Sequence, residues 1–232
     1  MTQTPFLLVP GLNCTAEIFK AQIPIFWRFG PVTIANHTEG ANIAEIAASI
    51  LANAPPRFAL AGFSMGGYIA FEILRQAGER VEKLCFIGTS ARPDTAEATE
   101  TRLARIALAR AGQFEQAVNA GFPTAVHPDQ LERADLRALL LRMATSLGPE
   151  LFERHQRAII HRPDSRGDLA GIKLKTLVLV GEADQTAVPA AAQEMAAGIA
   201  GSRLVVIPRA GHMAPIEQPE AVNAALGDWL SS

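Results

Sequence analysis

The sequence predicts an α/β protein with a mainly parallel six-stranded sheet flanked by helices and one all-helical insertion. Three observations carry this expectation. Short apolar runs alternate with helical segments along most of the chain, which is the pattern of successive parallel βαβ units. Several of the runs are apolar at nearly every position, as strands must be when helices cover both faces of a sheet. One long stretch, between Gly88 and Lys175, breaks the rhythm and holds no convincing strand.

The expected strands are, in order, Phe6 to Val9, Val32 to Ala35, Phe58 to Ala61, Lys83 to Ile87, Thr176 to Val180 and Leu204 to Ile207. Helices are expected over Ile43 to Ala52, Gly66 to Gln76, Ala190 to Ala197 and Pro219 to Leu230. Pro189 and Pro219 mark helix starts, because a missing N–H costs nothing in a first turn. In the insertion, Leu136, Leu139, Leu140, Met143 and Leu147 recur at helical spacing and form one apolar stripe, and Leu103, Ile106 and Ala107 repeat the pattern upstream. Residues 1–90 and 169–232 are thus expected to form the core and 91–168 the helical insertion.

A chain of 232 residues, 49% hydrophobic and 19% charged, has enough apolar material to fold alone. Its formal net charge of −2 comes without any block of like charges, so neither a nucleic-acid footprint nor a membrane-surface patch is expected. Between Ala91 and Asp168, eleven arginines face eleven acids, so the insertion is expected to project no net field toward an ionic substrate. No stretch approaches the roughly 18 uninterrupted apolar residues of a membrane span, and the first residues lack a basic segment followed by an apolar run. A cytoplasmic protein acting on a small molecule is expected. Cys14 and Cys85 are too few for a disulfide framework and are read as structural thiols.

The chemistry concentrates at three points. Phe58 to Ala61 runs through Gly62-Phe63-Ser64-Met65-Gly66 into a helical stretch, the strand, G-x-S-x-G, helix arrangement of a nucleophile elbow. A serine hydroxyl is a weak nucleophile near neutral pH and needs a base and an acid that orients it. Both follow in the chain. Gly181-Glu182-Ala183-Asp184 comes just after the fifth strand, and Gly211-His212 just after the sixth, at the carboxyl edge where open parallel sheets place their ligands. Ser64, Asp184 and His212 are therefore the candidate nucleophile, acid and base. Glu182 and Asp94 are the alternative acids.

These three stretches resemble the signatures of the α/β-hydrolase superfamily, over nearly the whole chain. Val9-Pro10-Gly11-Leu12-Asn13 is also similar to that superfamily's oxyanion loop, with Pro-Gly in place of the common His-Gly, as in one group of small bacterial esterase-like members. The resemblance implies an oxyanion hole made by the backbone N–H groups of Leu12 and Met65. It also implies that the insertion is the family's cap. The family's first two strands normally precede the oxyanion loop. Only a few residues stand before Phe6 here, so Val32 to Ala35 is expected at the sheet edge with no antiparallel hairpin beside it.

Phe114, Phe122, Met143, Phe152 and Met213 are candidate substrate contacts on the cap and the histidine loop, against the ordinary reading of each as core. His127, His155 and His161 read as solvated or packing residues of the insertion. His37 reads as a loop histidine, with a pocket-lining role as the alternative. No histidine or cysteine pair has metal-ligand spacing, so no metal and no cofactor are expected. The function expected is hydrolysis of a small or medium carboxylic ester through an acyl-serine. The same three residues would equally serve a lactone, a thioester or a diketone, or would persist in a ligand-binding protein on this fold with little turnover.

Overall fold

In the computed structural model, which describes residues 4–231, six strands form one sheet: β1 (Phe6–Val9), β2 (Val32–Ile34), β3 (Phe58–Phe63), β4 (Val81–Ile87), β5 (Lys175–Gly181) and β6 (Arg203–Ile207). Their order is β2-β1-β3-β4-β5-β6, and every pair is parallel. β2 is the edge strand, as the sequence predicts. It stops one residue early, although the Ala35 N–H still donates to the Leu8 carbonyl. β3 runs two residues beyond Ala61, carrying the chain to the residue before Ser64.

Successive side chains leave a strand on opposite faces, and each face of this sheet has its own apolar layer. Phe6, Leu8, Ala61, Cys85 and Leu177 pack with Phe26 of α1 (Ile23–Trp27) and with Val222, Leu226 and Trp229 of α11 (Pro219–Ser231). Leu7, Val9, Leu60, Phe86 and Val178 pack instead with α2 (Ile43–Asn53), α3 (Met65–Ala77) and α9 (Pro189–Gly198). α1 goes unpredicted because five residues are too few to show a period; Pro24 in its first turn is the one local mark.

Between β4 and β5 every described element is helical, among them α4 (Ala96–Arg110), α5 (Phe114–Asn119), α6 (Phe122–Ala125), α7 (Ala134–Leu147) and α8 (Pro149–Ile160). The expected stripe on α7 is buried at Leu136, Leu140 and Met143. The upstream repeat fails: Ile106 is buried, but Leu103 and Ala107 are exposed, because α4 is mostly polar and buries only Ile106 and Ala109. The two ends of this segment meet. The Ser165 N–H donates to the Ala91 carbonyl at 2.8 Å, and Arg162 reaches both the Arg92 carbonyl and Asp94. A last short helix, α10 (Ala214–Glu217), follows His212.

Candidate active site

Ser64 sits between the end of β3 and the start of α3 with φ 53° and ψ −115°, a conformation that L residues avoid. Two glycines make the turn possible. A Cβ on Gly62 would lie 2.3 Å from the Gly66 carbonyl oxygen, and one on Gly66 would lie 2.1 Å from that of Val9. The turn is held from outside as well: the Ser64 N–H donates to the Ile87 carbonyl, and the Thr89 hydroxyl donates to the Ser64 carbonyl.

His212 Nε2 lies 2.9 Å from Ser64 Oγ, and His212 Nδ1 lies 2.9 Å from Asp184 Oδ2. Asp184 is buried, and its other oxygen accepts the backbone N–H groups of Thr186 and Ala187, both at 2.8 Å. The rival acids are engaged elsewhere. Glu182 accepts the Arg209 N–H, and Asp94 is shared between Arg102 and Arg162. The loop bearing His212 is pinned by Glu217, whose carboxylate accepts the N–H groups of Gly211 at 2.9 Å and His127 at 2.7 Å. Burial raises the Glu217 pKa above its ordinary value, against those two hydrogen bonds.

The loop Pro10–Asn13 packs beside Ser64, since a Cβ on Gly11 would lie 3.0 Å from that of Ser64. Among the described residues, neither the Leu12 nor the Met65 N–H has an acceptor within hydrogen-bond distance. Two free donors therefore flank the serine. His37, buried and absent from the cavity wall, places its Nε2 3.2 Å from the Gly11 carbonyl, and His155 Nε2 lies 2.8 Å from the carbonyl of His37. Each ring nitrogen must donate, because a carbonyl only accepts. His127 caps a 3-10 turn through the Asp129 N–H, and His161 is exposed.

Ser64 and His212 open into a cavity of about 480 Å³. Its wall combines the sheet edge (Leu12, Phe63) and Tyr68 of α3 with the helical segment (Arg105, Phe122, Phe152, among others). Of the candidate substrate contacts, Phe122, Phe152 and Met213 line it. Phe114 and Met143 do not. Met143 is fully buried in the main core, and Phe114 packs its ring against Phe152 at 5.4 Å, behind the wall. Cys14 lines the cavity, unforeseen; burial pushes its thiol up to about 12, so it stays a thiol at neutral pH. Gln156 also went unforeseen. It lies on the buried face of α8 with Phe152, His155 and Ile159, and a polar residue at helical spacing from Phe152 and Ile159 is the signal that marks it. Among the described residues, no three His, Cys, Asp or Glu side chains are grouped to hold a metal ion, and no helix is long and apolar enough to cross a membrane.

The profile of the alpha/beta hydrolase family matches residues 6–225. The AB hydrolase superfamily protein YisY of Bacillus subtilis is 31% identical over 187 residues, which is 75% of this chain and 66% of that protein. The pimeloyl-(acyl-carrier protein) methyl ester esterase of Neisseria meningitidis is 24% identical over 236 aligned residues, covering 96% of this chain and 91% of the esterase. Among solved structures, a thermophilic esterase from Thermogutta terrifontis superposes with a TM-score of 0.88 at 30% identity, covering 99% of this chain and 90% of that one.

Proposed function

The chain belongs to the alpha/beta hydrolase family, and from that premise we propose that it is a serine hydrolase of small or medium carboxylic esters. The observation that carries this reading is the unbroken line from Ser64 Oγ through His212 to Asp184, with both contacts at 2.9 Å, opening into a cavity. Its esterase relatives support the same bond type.

In this reading His212 takes the hydroxyl proton as Ser64 attacks the ester carbonyl. Asp184 holds the imidazole in the tautomer whose Nε2 is free to accept, and stabilises the charge that develops on it. The oxyanion is received by the free N–H groups of Leu12 and Met65, the second at the amino end of α3. His212 then returns the proton to the leaving alkoxide. Water, deprotonated by the same imidazole, releases the acid from the acyl-serine. The helical segment 91–168 acts as a cap that closes the cavity over the serine.

The test is sustained hydrolysis of p-nitrophenyl esters of increasing acyl length by the native protein and by Ser64→Ala. Loss of a nucleophile of this kind costs about 10⁶ in turnover, so the variant should be indistinguishable from background. Equal rates for the two proteins would overturn the reading.

A further inference from the structure

The eleven arginines of the helical segment are not alike. Eight pair with carboxylates: Arg92 with Glu194, Arg102 and Arg162 with Asp94, Arg110 and Arg157 with Glu153, and Arg133, Arg142 and Arg166 with Asp135, Glu17 and Asp164. Arg154 donates to the Thr38 carbonyl. The remaining two, Arg105 and Arg137, have no hydrogen-bond acceptor and no carboxylate within ion-pair distance among the described residues, and both line the cavity that contains Ser64.

Their positions are specific. An Arg105 Nη1 atom lies beside Gly121, within 3.1 Å of where a Cβ would stand, and the Arg137 guanidinium stacks 4.0 Å over the ring of the next residue, Phe122. Both are half-buried. Burial and the nearby charge of Arg102 disfavour the charged form of Arg105, yet a guanidinium does not lose its proton in proteins. It therefore stands as an uncompensated charge in a partly apolar wall. Asp94 answers only one of its two arginines, so that buried trio adds a further positive charge. Against these stands a single lining carboxylate, the exposed Glu97. The unmet hydrogen-bonding capacity of the wall is also of donor type, since Gln156 gives its oxygen to Arg102 while its buried Nε2 has no acceptor. A neutral total over the segment thus conceals a cationic cavity.

We propose that Arg105 and Arg137 form an anion subsite, and that the ester cleaved at Ser64 carries a second, ionised carboxylate, as in the monoester of a dicarboxylic acid. The proposal rests on the hydrolase reading for its chemistry but not for its binding, and two arms keep them apart. In the first, kcat/KM is compared for mono-p-nitrophenyl adipate and for the neutral compound in which the free carboxylate is a methyl ester. Charge-assisted hydrogen bonds from partly buried guanidinium groups are worth roughly tenfold to a hundredfold, so the native protein should prefer the carboxylate by that factor. The preference should shrink with added salt and approach one in Arg105→Gln/Arg137→Gln.

In the second arm, monomethyl adipate is titrated calorimetrically into Ser64→Ala, with and without the two arginine substitutions. Binding that both salt and the substitutions abolish is expected. Hydrolysis of both esters at equal rates by the native protein would overturn the subsite and leave the hydrolase standing. Binding without hydrolysis of either ester would keep the subsite and overturn the hydrolase. The native preference needs no variant, so a variant that fails to fold leaves the first arm decisive.

Discussion

Asp184 makes three hydrogen bonds with two oxygens, and their division predicts what an isosteric amide would do in its place. One oxygen is committed to the Thr186 and Ala187 N–H groups, which forces the other toward His212 Nδ1. In Asp184→Asn the amide oxygen would keep the backbone pair and the NH₂ would face the imidazole, which must then put its proton on Nε2 and cease to be a base. We expect kcat on a p-nitrophenyl ester to fall on the order of 10⁴ with little change in melting temperature; an unchanged rate would show that Asp184 does not set the tautomer. At this scale the sequence was most informative about the three residues at strand ends, because strand, turn and motif coincide there. It was least informative about the cavity wall. Helical spacing tells which face of α5 or α7 is apolar but not whether that face meets core or empty space, so Phe114 and Met143 looked no different from Phe122. The unpaired state of Arg105 and Arg137 was invisible in a balanced charge count, because partners are chosen by tertiary structure.

At the scale of elements, α8 is joined to the loop beside Ser64 by a relay of two buried imidazoles, His155 to the His37 carbonyl and His37 to the Gly11 carbonyl, with the rings 5.0 Å apart. Burial first, then the charges of His37 and Arg154, pushes His155 down to about 4, and burial lowers His37 as well. The folded protein therefore keeps both rings neutral at a pH where the unfolded chain already takes up protons near 6.5. Stability from this pair is complete above about pH 6.5 and is lost as pH falls below it, for His155 down toward 4 at up to about 1.4 kcal/mol per pH unit. Urea melts at pH 7, 6, 5 and 4 should show this decline, with His155 alone contributing about 3 kcal/mol by pH 4. In His155→Gln, whose amide can still donate to the His37 carbonyl, the slope should flatten; an equally steep decline would assign it to other groups. Single histidines in separate segments gave no sign of this pairing, since nothing local links residue 37 to residue 155.

Over the whole molecule, the two apolar layers that clamp the sheet are extensive, whereas α4 and α5 rest mainly on a small cluster of Ala109, Ala117 and Phe152. Elements with little buried apolar contact open at lower cost than the global transition. Amide hydrogen exchange should therefore release 96–119 ahead of β1, β3, β4 and β5, and uniform protection across both would mean that the helical segment and the sheet unfold as one unit. The sheet itself was legible because several strands are apolar at nearly every position and the crossovers from β2 to β3 and from β5 to β6 each hold a single helix. The path of the helical segment was not, because five helices of mixed polarity admit many mutual packings.

The bond between Ala91 and Ser165 gives that segment the topology of a closed loop. Loop-closure entropy grows only with the logarithm of length, so a loop of some 70 residues costs only about 2 kcal/mol more than one of ten. The junction thus tolerates large differences in what lies between its ends. A helical cassette from another chain, grafted between residues 91 and 165 with its ends as close together, should leave the β-strand register intact while replacing the arginines that face the cavity, so that selectivity and scaffold can change independently.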